Sequence, residues 1–189
     1  MDDFETDLEK CIEVLRQGGV ILYPTDTVWG LGCDATNAAA VDKVFALKQR
    51  PAVKSLIVLV ADERDILQYV TSPDLAVFDY LQSLSKPTTV IYEGVIGLAE
   101  NVIADDGSAG IRIVQEPFCK HLIKRFRKPL VSTSANISGQ PTPRVFDEIP
   151  EQLKTAVNYT VQYRRTDNRI AEPSGIIKWK NGAVEVLRS

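Results

Sequence analysis

The chain has 189 residues, of which 44% are hydrophobic and 25% are charged, and its formal net charge is −3. This length fits one domain, and the balance of apolar and charged residues is typical of a folded, water-soluble protein. No apolar run reaches the roughly 18 residues of a membrane span, and the acidic N-terminus is unlike a signal peptide, so we expect a cytoplasmic protein without membrane association. The negative net charge argues against nucleic-acid binding by the whole surface.

The N-terminal half alternates between helical and extended apolar patterns. Helices are expected at 4–17, 37–49, 62–69 and 73–84. Strands are expected at 20–23, 56–60 and 88–92. Gly18 and Gly19 end the first helix, and Asn37 is the expected N-cap of the second.

The C-terminal half continues this mixture. Strands are expected at 109–114, 159–162, 175–179 and 183–187, and a further strand begins at Leu130. Helices are expected at 117–127 and near 145–156. The segment Lys180-Asn181-Gly182 is the expected hairpin turn between the last two strands. Because strands and helices mix without a strict βαβ repeat, we expect an α/β or α+β protein with helices on the faces of a sheet.

The first candidate site is the segment YPTDTVWGLGCDA. It follows a predicted buried strand, so Thr25, Asp26 and Thr27 emerge at the carboxyl end of that strand, where open α/β sheets place ligands. The hydroxyl groups can hold a small polar ligand, and Gly30 and Gly32 allow the backbone to approach closely. The alternative is a polar turn that caps the next helix, and the segment alone favours neither interpretation.

The second candidate is LKQRPAVKSL, in which Lys48, Arg50 and Lys54 lie at a helix end and in the following loop. Cations at a helix C-terminus are stabilised by the helix dipole, which would make these residues structural. Three cations just before a buried strand are also suited to gripping phosphates, although the segment is not a Walker A loop. Alone, the pattern is a weak signal for a phosphate site.

The third candidate is LVSTSANISGQPTPR, which delivers Ser132, Thr133, Ser134 and Asn136 directly after an apolar strand. Small hydroxyls, an amide and backbone N–H groups can form an anion-binding nest or a clamp for a carbonyl group. The density of polar groups favours a site over a simple turn. A covalent role for Ser134 is not expected, because the single histidine, His121, has no visible carboxylate partner for a triad.

The fourth candidate is KHLIKRFRKP, a predicted helix with an apolar face and a basic face. The basic face consists of Lys120, His121, Lys124, Arg125, Arg127 and Lys128. A solvated cationic face is the commoner explanation of this pattern, and a nucleic-acid contact is the sharper one.

The cysteines and the histidine restrict metal and redox chemistry. Cys11, Cys33 and Cys119 are widely spaced and odd in number. They predict reduced, buried thiols rather than a disulfide framework or a metal site. A single histidine excludes a centre that needs several imidazole ligands.

Together these motifs resemble a known family. YPTDTVWGLGCDA, LKQRP with KSLIVLV, STSANISG, EPSGIIKW and a terminal VLRS occur in the order of the YrdC-like family, the L-threonylcarbamoyladenylate synthases, in its short single-domain form. The matches run from about Leu8 to Arg188, and the combination of K-x-R and S-x-N after P-T-D-T-V-x-G-L-G is specific. The resemblance implies one domain over 1–189, with a single twisted, mostly mixed open sheet, helices on its faces and a positively lined concave pocket.

The resemblance also implies a reaction, in which L-threonine, bicarbonate and ATP give threonylcarbamoyl-AMP and pyrophosphate. Mg²⁺ is expected to arrive with ATP, and no metal held by protein ligands is expected. A downstream tRNA-modifying transferase complex would then use the product for threonylcarbamoyladenosine modification of tRNA. The alternative is a non-catalytic module for double-stranded RNA or tRNA, because a basic concavity would suit an A-form backbone. A carbamoyl-transfer domain is disfavoured, because the zinc-finger and acylphosphatase segments of hydrogenase maturation proteins are not found.

Matched position by position, the resemblance implies three sets of site residues. Catalysis is expected from Lys48, Arg50, Ser134 and Asn136. ATP contacts are expected from Arg50, Lys54, Ser108, Asn136, Arg144 and Arg188. L-Threonine contacts are expected from Thr27, Arg112, Ser134 and Ser174.

Two segments depart from the family pattern. The W-P-G-P-x-T-L segment is here LSKPTTVIY, and S-T-I is replaced by Ser174-Gly175-Ile176. In addition, Leu59 stands where some members have a histidine near threonine. These changes bear on the match at Ser108 and on the affinity for threonine.

Overall fold

Nine strands form one sheet within residues 4–49, 56–180 and 182–189, the part of the chain that this computed structural model describes. The strands are β1 (Ile21–Tyr23), β2 (Gly30–Gly32), β3 (Ile57–Val60), β4 (Thr88–Tyr92), β5 (Ala109–Ile113), β6 (Leu130–Ser134), β7 (Tyr159–Thr160), β8 (Gly175–Lys180) and β9 (Ala183–Arg188). Their order is β7-β1-β2-β6-β3-β5-β4-β8-β9. The sheet contains both parallel pairs, such as β3 with β5, and antiparallel pairs, such as β3 with β6, which confirms the predicted mixed open sheet.

The helices of the described residues accompany this sheet. They are α1 (Glu5–Arg16), α2 (Ala38–Lys48), α3 (Glu63–Tyr69), α4 (Ala76–Ser83), α5 (Pro117–Phe126) and α6 (Glu151–Ala156). In α2 the Asn37 side chain accepts the Ala40 N–H at 3.1 Å, as its predicted N-cap role requires. No helix in the described ranges is long and apolar enough to cross a membrane.

One predicted helix is wrong in its extent. The segment predicted near 145–156 is divided into a 3₁₀ turn at Phe146–Glu148 and α6, which begins at Glu151. Pro150 explains the division, because proline disfavours a helical conformation at the residue before it. Ile149 accordingly adopts an extended ψ of 129°.

Strand β2 was missed, because Gly30 and Gly32 indicate a turn when only the sequence is considered. In the sheet these glycines leave room for side chains of the neighbouring strands. A Cβ atom on Gly32 would lie 2.5 Å from the ring of Tyr23, whose hydroxyl donates to the Val131 carbonyl at 3.0 Å. A Cβ on Gly30 would lie 3.1 Å from Ser132 Oγ. Of the two, only Gly30 lines a cavity, so the predicted ligand approach applies to Gly30 alone.

Strand β6 lies inside the sheet, where it connects β2 on one side with β3 on the other. Its first residues pair with β3, whereas Thr133 and Ser134 pair with Leu31 and Gly30 of β2. The interior on both sides of these strands is apolar, and each fully buried aliphatic side chain contributes about 1.5–3 kcal/mol to folding. The three cysteines are buried and unbonded, which confirms the prediction of reduced thiols.

Candidate functional site

Polar side chains from several strand ends surround a cavity of about 260 Å³. Its wall includes five residues of the predicted site, namely Thr27, Arg112, Ser134, Ser174 and Arg188. This volume lies just below the range of about 300–1,000 Å³ for drug-sized ligands, so the cavity suits an amino acid or one part of a larger ligand. Larger cavities of about 790 and 460 Å³ contain none of the residues expected to contact ATP or L-threonine, although Asp26 of the turn after β1 lines the first of them.

The turn after β1 holds its two threonines in a directed chain of hydrogen bonds. Thr25 Oγ1 donates to the Val28 carbonyl at 2.8 Å, which uses its only proton. The 3.0 Å contact between Thr25 Oγ1 and Thr27 Oγ1 must therefore be donated by Thr27. Arg112 Nη2 donates to the same Thr27 oxygen at 3.2 Å. The Thr27 hydroxyl has one lone pair left, so towards a ligand it can only accept a hydrogen bond.

Arg112 is a buried cation that, among the described residues, donates hydrogen bonds through Nη2 alone. Its residue is 3% exposed, and its Nη2 lies 3.0 Å from Asp26 Oδ1. The Asp26 side chain is 7% exposed, so water and salt screen this ion pair little. Arg112 Nε is buried and has no hydrogen-bond partner, and Nη1 donates to none of the described residues either. Since Nε is closed off from a water-sized molecule, Nη1 is the donor that a ligand in the cavity can reach.

Ser174 and Arg188 form the opposite wall of the cavity. Ser174 Oγ lies 2.9 Å from Thr89 Oγ1, and Arg188 Nε donates to the Ser174 carbonyl at 3.0 Å. Burial lowers the pKa of Arg188, and the nearby charge of Arg112 adds to this shift. Two guanidinium groups therefore act on the same space, which favours an anion between them. Because Asp26 neutralises Arg112, the positively lined pocket stays a prediction.

Lys48 joins α2 to the S-x-N segment after β6. Its Nζ lies 2.5 Å from the Ser134 carbonyl, 2.8 Å from the Asn136 carbonyl and 3.1 Å from Asn136 Oδ1. Ser134 Oγ in turn donates to Asn136 Oδ1 at 2.6 Å. These contacts make Lys48 the cation that holds the S-x-N segment in shape. Its predicted neighbours Arg50 and Lys54 lie outside the described residues.

Two further predicted residues lie away from the cavity wall. Ser108 precedes β5, where its Oγ donates to Asp106 Oδ1 at 2.6 Å. Four residues of extended chain, or roughly 13 Å, separate it from Arg112. Arg144 has a side chain that is 59% exposed and pairs with Glu148 at 3.4 Å. Their predicted ATP contacts therefore stay predictions.

Sequence reasoning missed Arg164, which supports the turn from behind. Arg164 Nη1 donates to the Thr25 carbonyl at 3.0 Å and to Glu116 Oε2 at 2.6 Å, and its Nε donates to Asp167 at 2.9 Å. Its backbone has a φ of 64°, a left-handed conformation that is uncommon for residues other than glycine. The only sequence signal is the charged run YRRTDNR, which is also typical of a solvated loop.

The basic face of α5 is largely neutralised. Three of its cations form the ion pairs Lys124–Asp62, Arg125–Glu5 and Lys128–Asp34. Lys120 donates to the Gln115 side chain at 3.0 Å. This arrangement favours the interpretation as a solvated helix face over an RNA contact.

Comparison with known proteins identifies the family. The family model Sua5_yciO_yrdC, described as "Telomere recombination", matches residues 13–189. The chain belongs to this family. Among curated relatives, the Threonylcarbamoyl-AMP synthase of Pseudoalteromonas translucida (strain TAC 125) is 34% identical over 183 residues, which cover 95% of this chain and 97% of the relative. The protein of the same name from Stenotrophomonas maltophilia (strain K279a) is 37% identical over 152 residues, covering 79% and 82% of the two chains.

Solved structures of the Sua5/YciO/YrdC family share the fold. P. abyssi Sua5 complexed with L-threonine matches with a TM-score of 0.88 at 23% identity, over 97% of this chain and 54% of Sua5. The chain thus spans about half the length of that Sua5 protein. E. coli YciO matches with a TM-score of 0.80 at 21% identity, over 97% of this chain and 89% of YciO. At these identities the likenesses establish the fold alone.

Proposed function

We propose that this protein forms threonylcarbamoyl-AMP and pyrophosphate from L-threonine, bicarbonate and ATP. The observation that carries the proposal is the convergence of Thr27, Arg112, Ser174 and Arg188 on one cavity. Relatives that match 79–95% of this chain are named Threonylcarbamoyl-AMP synthase, and P. abyssi Sua5, which has the same fold, holds L-threonine. These findings support an amino-acid pocket, for which a module that only binds RNA has no use.

Each polar group of the cavity suits a part of L-threonine. The unused Nη1 donors of Arg112 are suited to the carboxylate, since charge-assisted hydrogen bonds are the strong ones. The Thr27 oxygen, which can only accept, is suited to the hydroxyl or the amine of the substrate. Ser174 and Ser134 supply further hydroxyls to the same space.

The reaction needs positioning and charge stabilisation rather than a protein nucleophile. The threonine nitrogen forms a bond to the carbon of bicarbonate with loss of water, which gives a carbamate. A carbamate oxygen then bonds to the α-phosphorus of ATP, the bond from that phosphorus to the bridging oxygen breaks, and pyrophosphate leaves. Arg188 can stabilise the phosphate charge from the described part of the site. The resemblance assigns the same role to Arg50 and Lys54.

The metal, the partners and the location complete the proposal. Among the described residues no group of three or more His, Cys, Asp or Glu side chains could hold a metal ion. We propose that Mg²⁺ enters on the phosphates of ATP, where it would neutralise charge. We further propose that residues 1–189 act as one domain in the cytoplasm and supply the product to a tRNA-modifying transferase.

The decisive experiment measures pyrophosphate release with ATP, L-threonine and bicarbonate, and with each component omitted in turn. Release should require all three. L-Valine should replace L-threonine poorly, because it leaves buried hydroxyls unpaired at about 1–3 kcal/mol each. L-Serine should fall between the two, since it lacks one methyl contact worth about 1 kcal/mol. Release that is independent of L-threonine, or equal with L-valine, would contradict the proposal.

A further inference from the structure

The ion pair between Asp26 and Arg112 lies at the edge of the cavity rather than inside it. Arg112 lines the cavity, whereas Asp26 is absent from its wall and instead lines the separate cavity of about 790 Å³. The Asp26 side chain contacts a residue of the cavity wall through its ion pair with Arg112. Asp26 can therefore act on a ligand there by fixing the guanidinium group.

The Asp26 carboxylate is itself fixed in place. Its Oδ1 accepts from Arg112 Nη2 at 3.0 Å, and its Oδ2 accepts the backbone N–H of Gln115 at 2.9 Å. Gln115 follows β5 closely, so the carboxylate is anchored to the backbone of the strand that carries Arg112. Both oxygens are used, so the two contacts fix the orientation of the carboxyl group.

The same contacts determine how Arg112 meets a ligand. Nη2 is occupied by Asp26 and Thr27, whereas Nη1 donates to none of the described residues and is not among the closed-off buried atoms. Because the guanidinium is planar and is held at Nη2 by two neighbours, Nη1 cannot turn away from its position without breaking both contacts. Asp26 also compensates the charge of the Arg112 guanidinium, because Arg112 is 3% exposed.

Resting on the proposed function, we infer that Asp26 is a positioning residue for substrate binding. It holds the Arg112 guanidinium so that its spare donor meets the carboxylate of L-threonine, and it does not touch the substrate. Asp26→Asn keeps the size of the side chain but can accept only one of the two hydrogen bonds. The variant should raise the KM for L-threonine by about tenfold to a hundredfold, while kcat and the KM for ATP change little.

Asp34→Asn is the matched control. Asp34 is 3% exposed, pairs with Lys128 at 2.6 Å, and accepts a backbone N–H from Thr36 at 2.8 Å. It therefore repeats the burial, the ion pair and the backbone anchor of Asp26, but it is not part of the cavity wall. Asp34→Asn should lower thermal stability without changing the KM for L-threonine.

The experiment combines steady-state kinetics with calorimetric titration of L-threonine into the wild type and both variants. Weaker L-threonine binding in Asp26→Asn alone supports the inference. Equal binding in wild type and Asp26→Asn, or equal KM changes in both variants, overturns it. A wild type that binds no L-threonine would instead overturn the proposed function on which it rests. If Asp26→Asn does not fold, Asp26→Glu keeps the charge but shifts the carboxylate, and an unchanged KM in that variant also overturns the inference.

Discussion

Within the described residues, two buried cations lie next to the candidate site, and their surroundings differ. Lys48 and Arg112 are 2% and 3% exposed. Lys48 Nζ is surrounded by three oxygen atoms of the S-x-N segment, all within 3.1 Å. Arg112 is paired with Asp26 and Thr27 through Nη2, whereas its Nη1 donates to none of the described residues.

This difference in hydrogen bonding indicates that Lys48 stabilises the fold and that Arg112 binds a ligand. A cation surrounded by acceptors stabilises the fold, and rearranging it for a ligand would break existing hydrogen bonds. A guanidinium that is held at one nitrogen and keeps an accessible donor without a partner can bind an anionic ligand without breaking existing hydrogen bonds. We therefore expect Lys48 variants to affect mainly stability and Arg112 variants to affect mainly binding.

Replacing Lys48 should have the largest effect on the fold. Lys48→Met keeps the length of the side chain but leaves the Ser134 and Asn136 oxygens without their donor. The free energy of unfolding should fall by about 3 kcal/mol, which urea denaturation can measure. Lys43→Met is the control on the same helix, because Lys43 donates to one carbonyl, that of Gly18. An equal loss of unfolding free energy in Lys48→Met and Lys43→Met would contradict the structural role of Lys48.

Replacing Arg112 should mainly affect binding. Arg112→Lys keeps a positive charge for Asp26 but has no Nη1 donors and no planar group. Affinity for L-threonine should fall about tenfold in calorimetry, while the unfolding free energy should change by less than about 1 kcal/mol. Arg125→Lys, whose parent residue pairs with Glu5 on an exposed surface, controls for the substitution itself. Unchanged threonine affinity in Arg112→Lys would remove the binding role.

The smallest expected effect lies behind the site, at Glu116. Burial raises the pKa of Glu116 above its ordinary value, against the opposing charge of Arg164. The folded state therefore retains the proton from about pH 4.3 up to the raised pKa, where the unfolded state has lost it. Wild type should lose stability relative to Glu116→Gln as the pH rises through this window. Thermal unfolding of both proteins at pH 5 and 7.5 measures this trend, and a trend of the opposite sign would contradict it.

Local patterns were sufficient to predict most of the fold. The strand Thr88–Tyr92 has the predicted bounds, because it consists of β-branched and aromatic residues. The face of α5 that carries Phe118, Leu122 and Phe126 is buried as its spacing predicted. In both cases the information lies within a few neighbouring residues.

The site could be predicted less completely, because it depends on contacts between residues that are far apart in the sequence. Asp26 and Arg112 are 86 residues apart, so no local pattern indicates that they form an ion pair. The same holds for Arg164, which reaches the Thr25 carbonyl across 139 residues. The family resemblance assigned Lys48 to catalysis, but motif matching cannot show that its amine is surrounded by protein oxygens.

Arg188 reaches the cavity from β9, the outermost strand on its side of the sheet in the described part of the chain. Val186 and Leu187 of this strand are 61% and 51% exposed, so little apolar burial holds it in place. We expect an edge strand of this kind to open locally at a lower free energy than global unfolding requires. Opening of β9 would withdraw Arg188 and free the Ser174 carbonyl, so the fraction of molecules with a complete cavity would follow the local opening of β9 rather than the stability of the core.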